Sequence, residues 1–253
     1  MAKILVTGST GTLGRPVVEG LRRAGEQVCS LSRHARPGDP SAHAVDLRSG
    51  TGLAEALAGV DTVVHLAAAS AADGDLRAAA HLIGRARRAG VGHVVYASDV
   101  GADRIPSRHH RTRYTVERAL AASGLGWTVL RTTWFHDRAA SLCAAAARLP
   151  VAPVPEIAAQ PIAVHEAASR LVLLARGEPR GRVPDMGGPA VESFADLMDA
   201  YLNAHGLPRR TVPVRLPGRV FATHRAGEHL APERAVGTVT FAEFLAHPHD
   251  PTV

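Results

Sequence analysis

Three glycines near the start of the chain have the spacing of a phosphate-binding loop. Gly8, Gly11 and Gly14 follow the apolar run 3–7 and lead into a segment with helical periodicity. In such a loop the first glycine permits a tight exit from the strand, the second lets the backbone approach phosphate, and the third lets the helix pack against the sheet. The amides that open the helix then face an anion. This context favours a dinucleotide pyrophosphate site over a merely structural turn.

A second feature directed at phosphate is Arg33, which follows Ser32 at the end of a predicted strand over 27–31. An NAD-specific site places an Asp or Glu near this position to bind the ribose 2′-hydroxyl, and this chain has no acid there. A guanidinium instead offers forked donors to a 2′-phosphate, so we predict NADPH rather than NADH. The alternative interpretation is that Arg33 is a solvated loop charge, the usual state of an arginine.

Short apolar runs and helical segments alternate along the first half of the chain, which is typical of a parallel sheet covered on both faces. We predict further strands at 43–45, 61–66, 93–97 and 127–131, and helices at 16–24, 52–58, 75–89, 111–122 and 165–175. The predicted fold is therefore a doubly wound α/β Rossmann sheet. Ligands of such sheets bind outside the carboxyl ends of the strands, where this chain places Ala67, Ala68, Ser98, Thr132 and Thr133.

The pattern changes near residue 150, where several prolines interrupt the alternation. We predict a dinucleotide-binding core over 1–150 and a small substrate-covering lobe over 151–253, integrated into one domain with some segments returning to the core. Helices at 193–205 and 241–245 belong to the predicted lobe. A length of 253 residues with 46% apolar composition fits one α/β unit with an appendage better than two full domains.

The amino-acid composition limits the classes of molecule that we expect the protein to bind. The net charge is +6, yet 28 of the 29 basic residues are arginines spread along the chain, and Lys3 is the only lysine. Without an aromatic-interleaved basic patch, specific nucleic-acid binding is disfavoured. No apolar stretch has membrane-spanning length and no signal-peptide pattern is present, so we expect a cytoplasmic protein that binds a small molecule. The two cysteines lack metal-ligand or redox spacing, and no metal site is predicted. Oligomeric state is left open.

Six short motifs spread along nearly the whole chain point to one family. They are TGSTGTLG at 7–14, VGADRIP at 100–106, WTVLR at 127–131, FHD at 135–137, QPI at 160–162 and LAPERAVGT at 230–238. Together they resemble the atypical short-chain dehydrogenase/reductases, in particular the NmrA-like NAD(P)H-binding branch. That branch contains reductases of quinones, dyes and ketones as well as NADP(H) sensors that catalyse little. The resemblance implies a Rossmann core, a small C-terminal substrate lobe, and cofactor contacts from Gly8, Thr10, Gly11, Thr12, Leu13, Gly14, Ser32, Arg33, Asp46, Leu47, Ala67, Ala68 and Thr132.

The chain departs from this family at the catalytic pair. Relatives commonly carry a Tyr-x-x-x-Lys pair after the Asp-Arg-Ile-Pro segment, which donates a proton and holds the nicotinamide ribose. Here His109 stands at the tyrosine position and Arg113 at the lysine position, one helical turn apart. An imidazolium titrates in the right range for an acid, whereas a guanidinium does not deprotonate and can only position. His110 replaces His109 if the helix begins one residue differently, and the alternative is that both are surface histidines.

Ser98 is the remaining catalytic candidate. Strand-end serines in relatives bind a substrate carbonyl, although a serine here can also simply cap the turn into Asp99. Tyr114 and Arg118 form a second Tyr-x-x-x-Arg pair, which is less favoured because Tyr114 lies about 140° around the helix from His109.

The sequence therefore predicts an NADPH-dependent reductase that passes hydride to a quinone or conjugated ketone. Such acceptors yield stabilised anions and depend least on a strong proton donor. The missing tyrosine and lysine leave open a non-catalytic NADP(H) sensor, and a third possibility is an isomerase or cyclase that keeps the cofactor as structure.

Overall fold

The computed structural model describes residues 1–32, 41–66 and 72–247. Within these residues the principal element is a parallel sheet with strand order β3-β2-β1-β4-β5-β6-β9. Its strands are β1 Lys3–Thr7, β2 Gln27–Ser32, β3 Ala42–Ala44, β4 Thr62–His65, β5 His93–Asp99, β6 Gly126–Thr132 and β9 Gly181–Arg182. This order confirms the predicted doubly wound α/β fold, because the strand sequence reverses direction after β1.

Helices make up most of the remaining regular structure in the described residues. They are α1 Gly14–Arg23, α2 Leu53–Ala56, α3 Ala72–Ala89, α4 Arg108–Ala121, α5 His136–Ala147, α6 Val164–Ala175, α7 Phe194–Ala204, α8 Arg219–Arg225 and α9 Phe241–Ala246, with a 3-10 turn at Pro232–Arg234. No helix among the described residues is both long enough and apolar enough to cross a bilayer.

The chain forms two compact units. The first comprises Met1–Ser98, Arg111–Leu130 and Ala167–Val183, and the second comprises Asp99–His110, Arg131–Glu166 and Pro184–Val253. The division into a core over 1–150 and a lobe over 151–253 remains a prediction.

The core of the first unit is built on β1, whose Ile4, Leu5 and Val6 are fully buried. A central parallel strand is covered on both faces and therefore reads as a continuous apolar run. One cluster packs Leu5 against Val63 of β4 and Val94 of β5. This burial fixes where β1 ends, and so fixes the position of the glycine loop that follows it.

The second unit contains two small sheets in which β8 Ala158–Ala159 pairs antiparallel with β10 Glu192–Ser193, and β7 Val151–Pro155 pairs parallel with β11 Arg210–Val214. The prolines in 151–155 were expected to interrupt regular structure, and this expectation was wrong. Proline is tolerated in an edge strand because its missing N–H can face away from the partner, and in a two-stranded sheet both strands are edges.

Element boundaries moved most at α4. The sequence predicted a helix from 111, whereas the helix begins at Arg108. The side-chain oxygen of Ser107 accepts a hydrogen bond from the His110 amide at 3.1 Å, which is the geometry of a serine N-cap. His109 and His110 consequently lie inside the first turn of the helix. Helix α8 was not predicted.

Candidate functional site

The glycine loop between β1 and α1 is constrained differently at each glycine. Gly8 has φ 69°, in the left-handed region that favours glycine, and its carbonyl accepts from the Gly11 amide at 3.0 Å. A Cβ built at Gly14 would lie 2.0 Å from the Gly8 carbonyl oxygen, so no side chain fits there. A Cβ at Gly11 would lie 3.4 Å from that oxygen, an ordinary contact. The fold therefore requires glycine at 8 and 14 but not at 11.

The loop presents backbone donors to its surroundings. Thr10, Gly11 and Thr12 are exposed, and among the described residues the amides of Thr10, Thr12 and Leu13 have no hydrogen-bond acceptor. The amino-terminal end of α1 begins directly afterwards at Gly14. Such amides, together with the positive end of the helix dipole, form an anion site. An exposed loop glycine beside amides that lack an acceptor fits the diphosphate of a dinucleotide.

The predicted contacts to the adenosine half of the cofactor are only partly described. Ser32 ends β2 and is half-buried, whereas Arg33, Ala67 and Ala68 lie outside the described residues. After β3, the side-chain oxygen of Asp46 accepts from the Arg48 amide at 2.9 Å and the residue is exposed. The neighbouring Leu47 packs against the apolar core.

Arg113 of α4 reaches the carboxyl end of β5. One guanidinium nitrogen donates to the Tyr96 hydroxyl at 3.2 Å and to the Ala97 carbonyl at 3.3 Å, and the guanidinium carbon lies 5.7 Å from the centre of the Tyr96 ring. His65 of β4 stacks on Tyr96 with ring centres 5.4 Å apart. Residues of β5 thus hold the positive charge of Arg113 at the carboxyl end of the sheet, which agrees with a positional rather than an acidic role.

His65 lies at the same carboxyl end of the sheet and is a poor proton donor. Its Nδ1 is hydrogen-bonded to the Thr7 hydroxyl at 2.8 Å, and the same hydroxyl accepts from the Leu66 amide. Burial, aided by the nearby Arg113 charge, lowers the pKa of His65 to about 3. The imidazole is therefore neutral near pH 7 and ties β4 to the last residue before the glycine loop.

Ser98 is buried and its hydroxyl donates to the Glu117 carboxylate at 2.6 Å. The interpretation that Ser98 merely caps the turn into Asp99 is not supported by this bond, because the serine proton is directed at α4. Glu117 was not singled out from the sequence. Its position one turn after Arg113 on the same helix face was the available signal.

His109 lies in the second unit, and its Nε2 donates to the Asp99 carboxylate at 2.6 Å. The His109 side chain is 55% exposed. It is therefore accessible and has an oriented ring, because the carboxylate fixes which nitrogen carries the proton. Thr132, at the end of β6, is buried, and its carbonyl accepts from the Val100 amide at 3.0 Å.

His110 has a different environment from His109. It is 8% exposed and is hydrogen-bonded to Ser107 at 2.6 Å. Burial lowers its pKa to about 4; the charge of Asp99 opposes this shift, and smaller contributions from His109, His224 and Arg138 add to it. Tyr114 is 38% exposed on α4.

The other ionisable groups of the described residues form no metal site. No group of three or more His, Cys, Asp or Glu residues in the described ranges could hold an ion. Both cysteines are buried and unpaired, and burial raises the pKa of the Cys143 thiol to about 12. Both thiols lie in apolar clusters of the described residues.

Comparison with known proteins matches residues 8–163 to the sequence model described as NAD(P)H-binding. The chain belongs to the NAD(P)H-binding family. The resemblance to the NmrA-like branch of the atypical short-chain dehydrogenase/reductases is thereby confirmed, and so is a nicotinamide dinucleotide as cofactor. The matched range contains the glycine loop together with Ser98, His109 and Arg113.

Similar proteins in this family include quinone oxidoreductase 2 of Escherichia coli, which is 27% identical over 208 residues, covering 77% of this chain and 71% of that protein. An uncharacterised Mycobacterium tuberculosis protein is 29% identical over 141 residues, or 54% of this chain. This match spans only 15% of that protein's length.

Solved structures share the fold across almost the whole chain. The Escherichia coli NADPH-dependent quinone oxidoreductase in complex with NADPH has a TM-score of 0.83 at 19% identity, covering 98% of this chain and 100% of that one. Thermus thermophilus UDP-glucose 4-epimerase with NAD has a TM-score of 0.78 at 19% identity, with 96% of each chain covered. A Citrobacter triphenylmethane reductase has a TM-score of 0.77 at 17% identity, covering 97% and 98%.

Proposed function

We propose that this protein is an NADPH-dependent oxidoreductase that transfers hydride to an electron-poor acceptor, a quinone or a conjugated ketone. The observation that carries the proposal is Gly11, where the fold would accommodate a Cβ and the sequence has glycine, in an exposed loop whose neighbouring amides lack an acceptor. Family membership and the similarity to quinone oxidoreductase 2 support the same assignment. When bound, the cofactor supplies the hydride, and the protein mainly positions the reactants.

The glycine loop would hold the diphosphate through the amides of Thr10, Thr12 and Leu13. Arg113 would donate to ribose hydroxyls from the end of β5, and Arg33 with Ser32 would bind the 2′-phosphate. His109, oriented by Asp99, would deliver a proton to the reduced acceptor. Acceptors that become stabilised anions need this proton least.

Gly11→Ala tests the cofactor site separately from the fold. We expect its free energy of unfolding to stay within about 0.5 kcal/mol of the parent value, because the new methyl makes only an ordinary contact. We expect NADPH affinity to fall by about tenfold or more, since the methyl occupies the space through which the backbone approaches phosphate. Urea unfolding and titration calorimetry measure the two quantities. Unchanged affinity would contradict a diphosphate at this loop.

Arg33→Ala tests the choice of cofactor. Loss of a guanidinium–phosphate pair should weaken NADPH binding by about tenfold and leave NADH binding nearly unchanged. Arg85→Ala, which removes an exposed arginine from α3, is the control for net charge. If the parent binds NADH more tightly than NADPH, the proposed preference is wrong.

His109→Ala tests the proton donor. General acids contribute about 10²- to 10⁴-fold, so we expect turnover of an unactivated ketone to fall within this range and quinone reduction to fall much less. NADPH consumption across both acceptor classes provides the measurement, with exposed His247→Ala as the control. A variant as active as the parent on every acceptor would remove His109 from the mechanism.

A second candidate function is a non-catalytic NADP(H) sensor. The observation that favours it is the engagement of the two residues at the tyrosine and lysine positions, since His109 is bonded to Asp99 and Arg113 to Tyr96. A clear difference in affinity between NADPH and NADP⁺, combined with no turnover of quinones or ketones, would select the sensor over the reductase.

A further inference from the structure

Two segments of the second unit carry the excess positive charge of the whole chain. Residues 138–155 and 200–227 contain no Asp or Glu, and their seven arginines exceed the net charge of +6 for all 253 residues. Strand β7 lies in the first segment and β11 in the second, so the pairing of these strands brings the two segments together. The arginines are Arg138, Arg148, Arg209, Arg210, Arg215, Arg219 and Arg225.

Within the described residues, no carboxylate is paired with any of these seven arginines. Arg209 and Arg225 donate to backbone carbonyls at 3.1 and 2.8 Å, and the guanidinium carbon of Arg138 lies 5.0 Å from the centre of the Trp134 ring. These partners are uncharged, so the positive charge is not neutralised. The other four arginines are exposed, namely Arg148, Arg210, Arg215 and Arg219.

The sheet of β7 and β11 turns one face towards the core and the other towards solvent. Ala152 and Val154 of β7 are buried in an apolar cluster. Side chains alternate across a strand, so Val151 points to the opposite face, as does Arg210, its partner in the register with β11. Val212 lies two residues beyond Arg210 on the same face. Val151 is 46% exposed and Val212 is 43% exposed, so this face presents aliphatic side chains beside unpaired positive charge.

We propose that the basic face, formed by Val151, Arg210 and Val212 with Arg148 shortly before β7, docks on the surface of a bilayer that contains anionic lipids. Arginine forks match the geometry of lipid phosphates, and apolar side chains add to binding by entering the headgroup region. This contact is peripheral, and the inference is independent of the proposed function.

The chemistry of the basic face favours lipid over other anionic partners. Unpaired positive charge selects a partner of negative charge, which nucleic acid would also satisfy. Binding to the bases of a nucleic acid uses aromatic rings that stack on them, whereas the exposed apolar side chains of this face are the valines Val151 and Val212. Aliphatic side chains gain from transfer out of water into the boundary of the acyl chains.

The first test is co-sedimentation of the full chain with vesicles of phosphatidylcholine, with and without an equal amount of phosphatidylglycerol. We expect binding only to the vesicles that contain phosphatidylglycerol, and we expect salt to weaken it by screening exposed charges. The double variant Arg148→Gln/Arg210→Gln should lower the partition coefficient by about thirtyfold, which is about 1 kcal/mol per arginine. Arg85→Gln/Arg87→Gln removes the same charge from exposed positions of α3 and should lower it much less.

Val212→Thr tests the apolar contact at nearly constant side-chain shape. We expect the partition coefficient to fall by about fourfold, the value of about one buried methylene. Val191→Thr is the matched control, because Val191 is 44% exposed and lies outside both arginine-rich segments. This control should bind as the parent does. Urea unfolding confirms that each variant is folded.

The outcomes that overturn the proposal are distinct. Absence of binding to phosphatidylglycerol vesicles at low salt overturns it, and so does an equal loss in the two arginine double variants, which would reflect net charge alone. Equal binding by Val212→Thr and Val191→Thr contradicts the seating of this face on the bilayer. Binding of a random-sequence DNA duplex that Arg148→Gln/Arg210→Gln abolishes, without binding to vesicles, would assign the basic face to nucleic acid instead. Sedimentation needs no turnover, so these results are separate from those on the proposed function.

Discussion

Gly14→Ala is expected to weaken NADPH binding strongly and to destabilise the protein. The added Cβ would lie 2.0 Å from the Gly8 carbonyl oxygen and 2.8 Å from the Ser9 Cα. These are backbone atoms, so the loop itself must move and its amides lose their common orientation. Overpacking of this kind costs about 1–3 kcal/mol of stability. We expect NADPH affinity to fall by about a hundredfold, or roughly 2.7 kcal/mol, as measured by titration calorimetry beside urea unfolding.

Gly84→Ala is the matched control, because Gly84 also lies in a helix but has no atom within 4 Å of a built Cβ. This change should raise stability by up to about 1 kcal/mol through helix propensity and leave NADPH binding unaltered. If Gly14→Ala matched the parent in both stability and affinity, the described packing of α1 against the loop would be wrong.

Mild acid is expected to unfold the protein, because three buried histidines must gain protons that the folded state resists. Burial lowers the pKa of His110 and His229 to about 4 and that of His65 to about 3. The folded state binds fewer protons than the unfolded chain, whose histidines titrate near pH 6.5. Stability is therefore fully present above pH 6.5 and declines as pH falls towards 4. Differences of this size correspond to roughly 3–5 kcal/mol per histidine once the pH is below the folded-state pKa, which is large against a total of about 5–15 kcal/mol.

The urea midpoint at pH 7 and at pH 5 measures this loss. His229 donates from Nε2 to the Ala158 carbonyl at 2.8 Å, and a glutamine amide nitrogen, which reaches as far from the backbone as Nε2, can replace that donor. His229→Gln should thus lose less stability than the parent between the two pH values. His247→Gln, at an exposed position, should behave as the parent does. Equal midpoints at pH 7 and pH 5 for the parent would contradict the lowered pKa values.

The parts of the site that the sequence predicted are those set by local geometry. The requirement for glycine at 8 and 14 follows from a strand, a tight turn and a helix that are contiguous in the chain, so the loop could be read directly. The β5 strand and the one-turn spacing of His109 and Arg113 also depend only on residues that are close together in the chain, so they too could be predicted.

The partners of the site residues could not be predicted, because they are fixed by contacts between elements. Glu117 meets Ser98 and Tyr96 meets Arg113 only after α4 packs against β5, and periodicity does not specify that register. Strand β9 was not predicted, because its two residues are too few to show an alternation of apolar and polar side chains. Strand β7 was not predicted, because its prolines indicated a break in regular structure. The N-cap that begins α4 at Arg108 needs the orientation of the Ser107 side chain, which the residue type alone does not give.

The paired strands β7 and β11 bear on association between molecules. Open strand edges recruit further strands and so promote aggregation. Pro153 and Pro155 in β7 and Pro213 in β11 have no N–H to offer, and both strands lie at an edge. A strand from another molecule that paired with β7 or β11 would lack backbone N–H donors at these prolines. We therefore expect this small sheet to resist edge-to-edge polymerisation despite the exposed Val151 and Val212 on its surface.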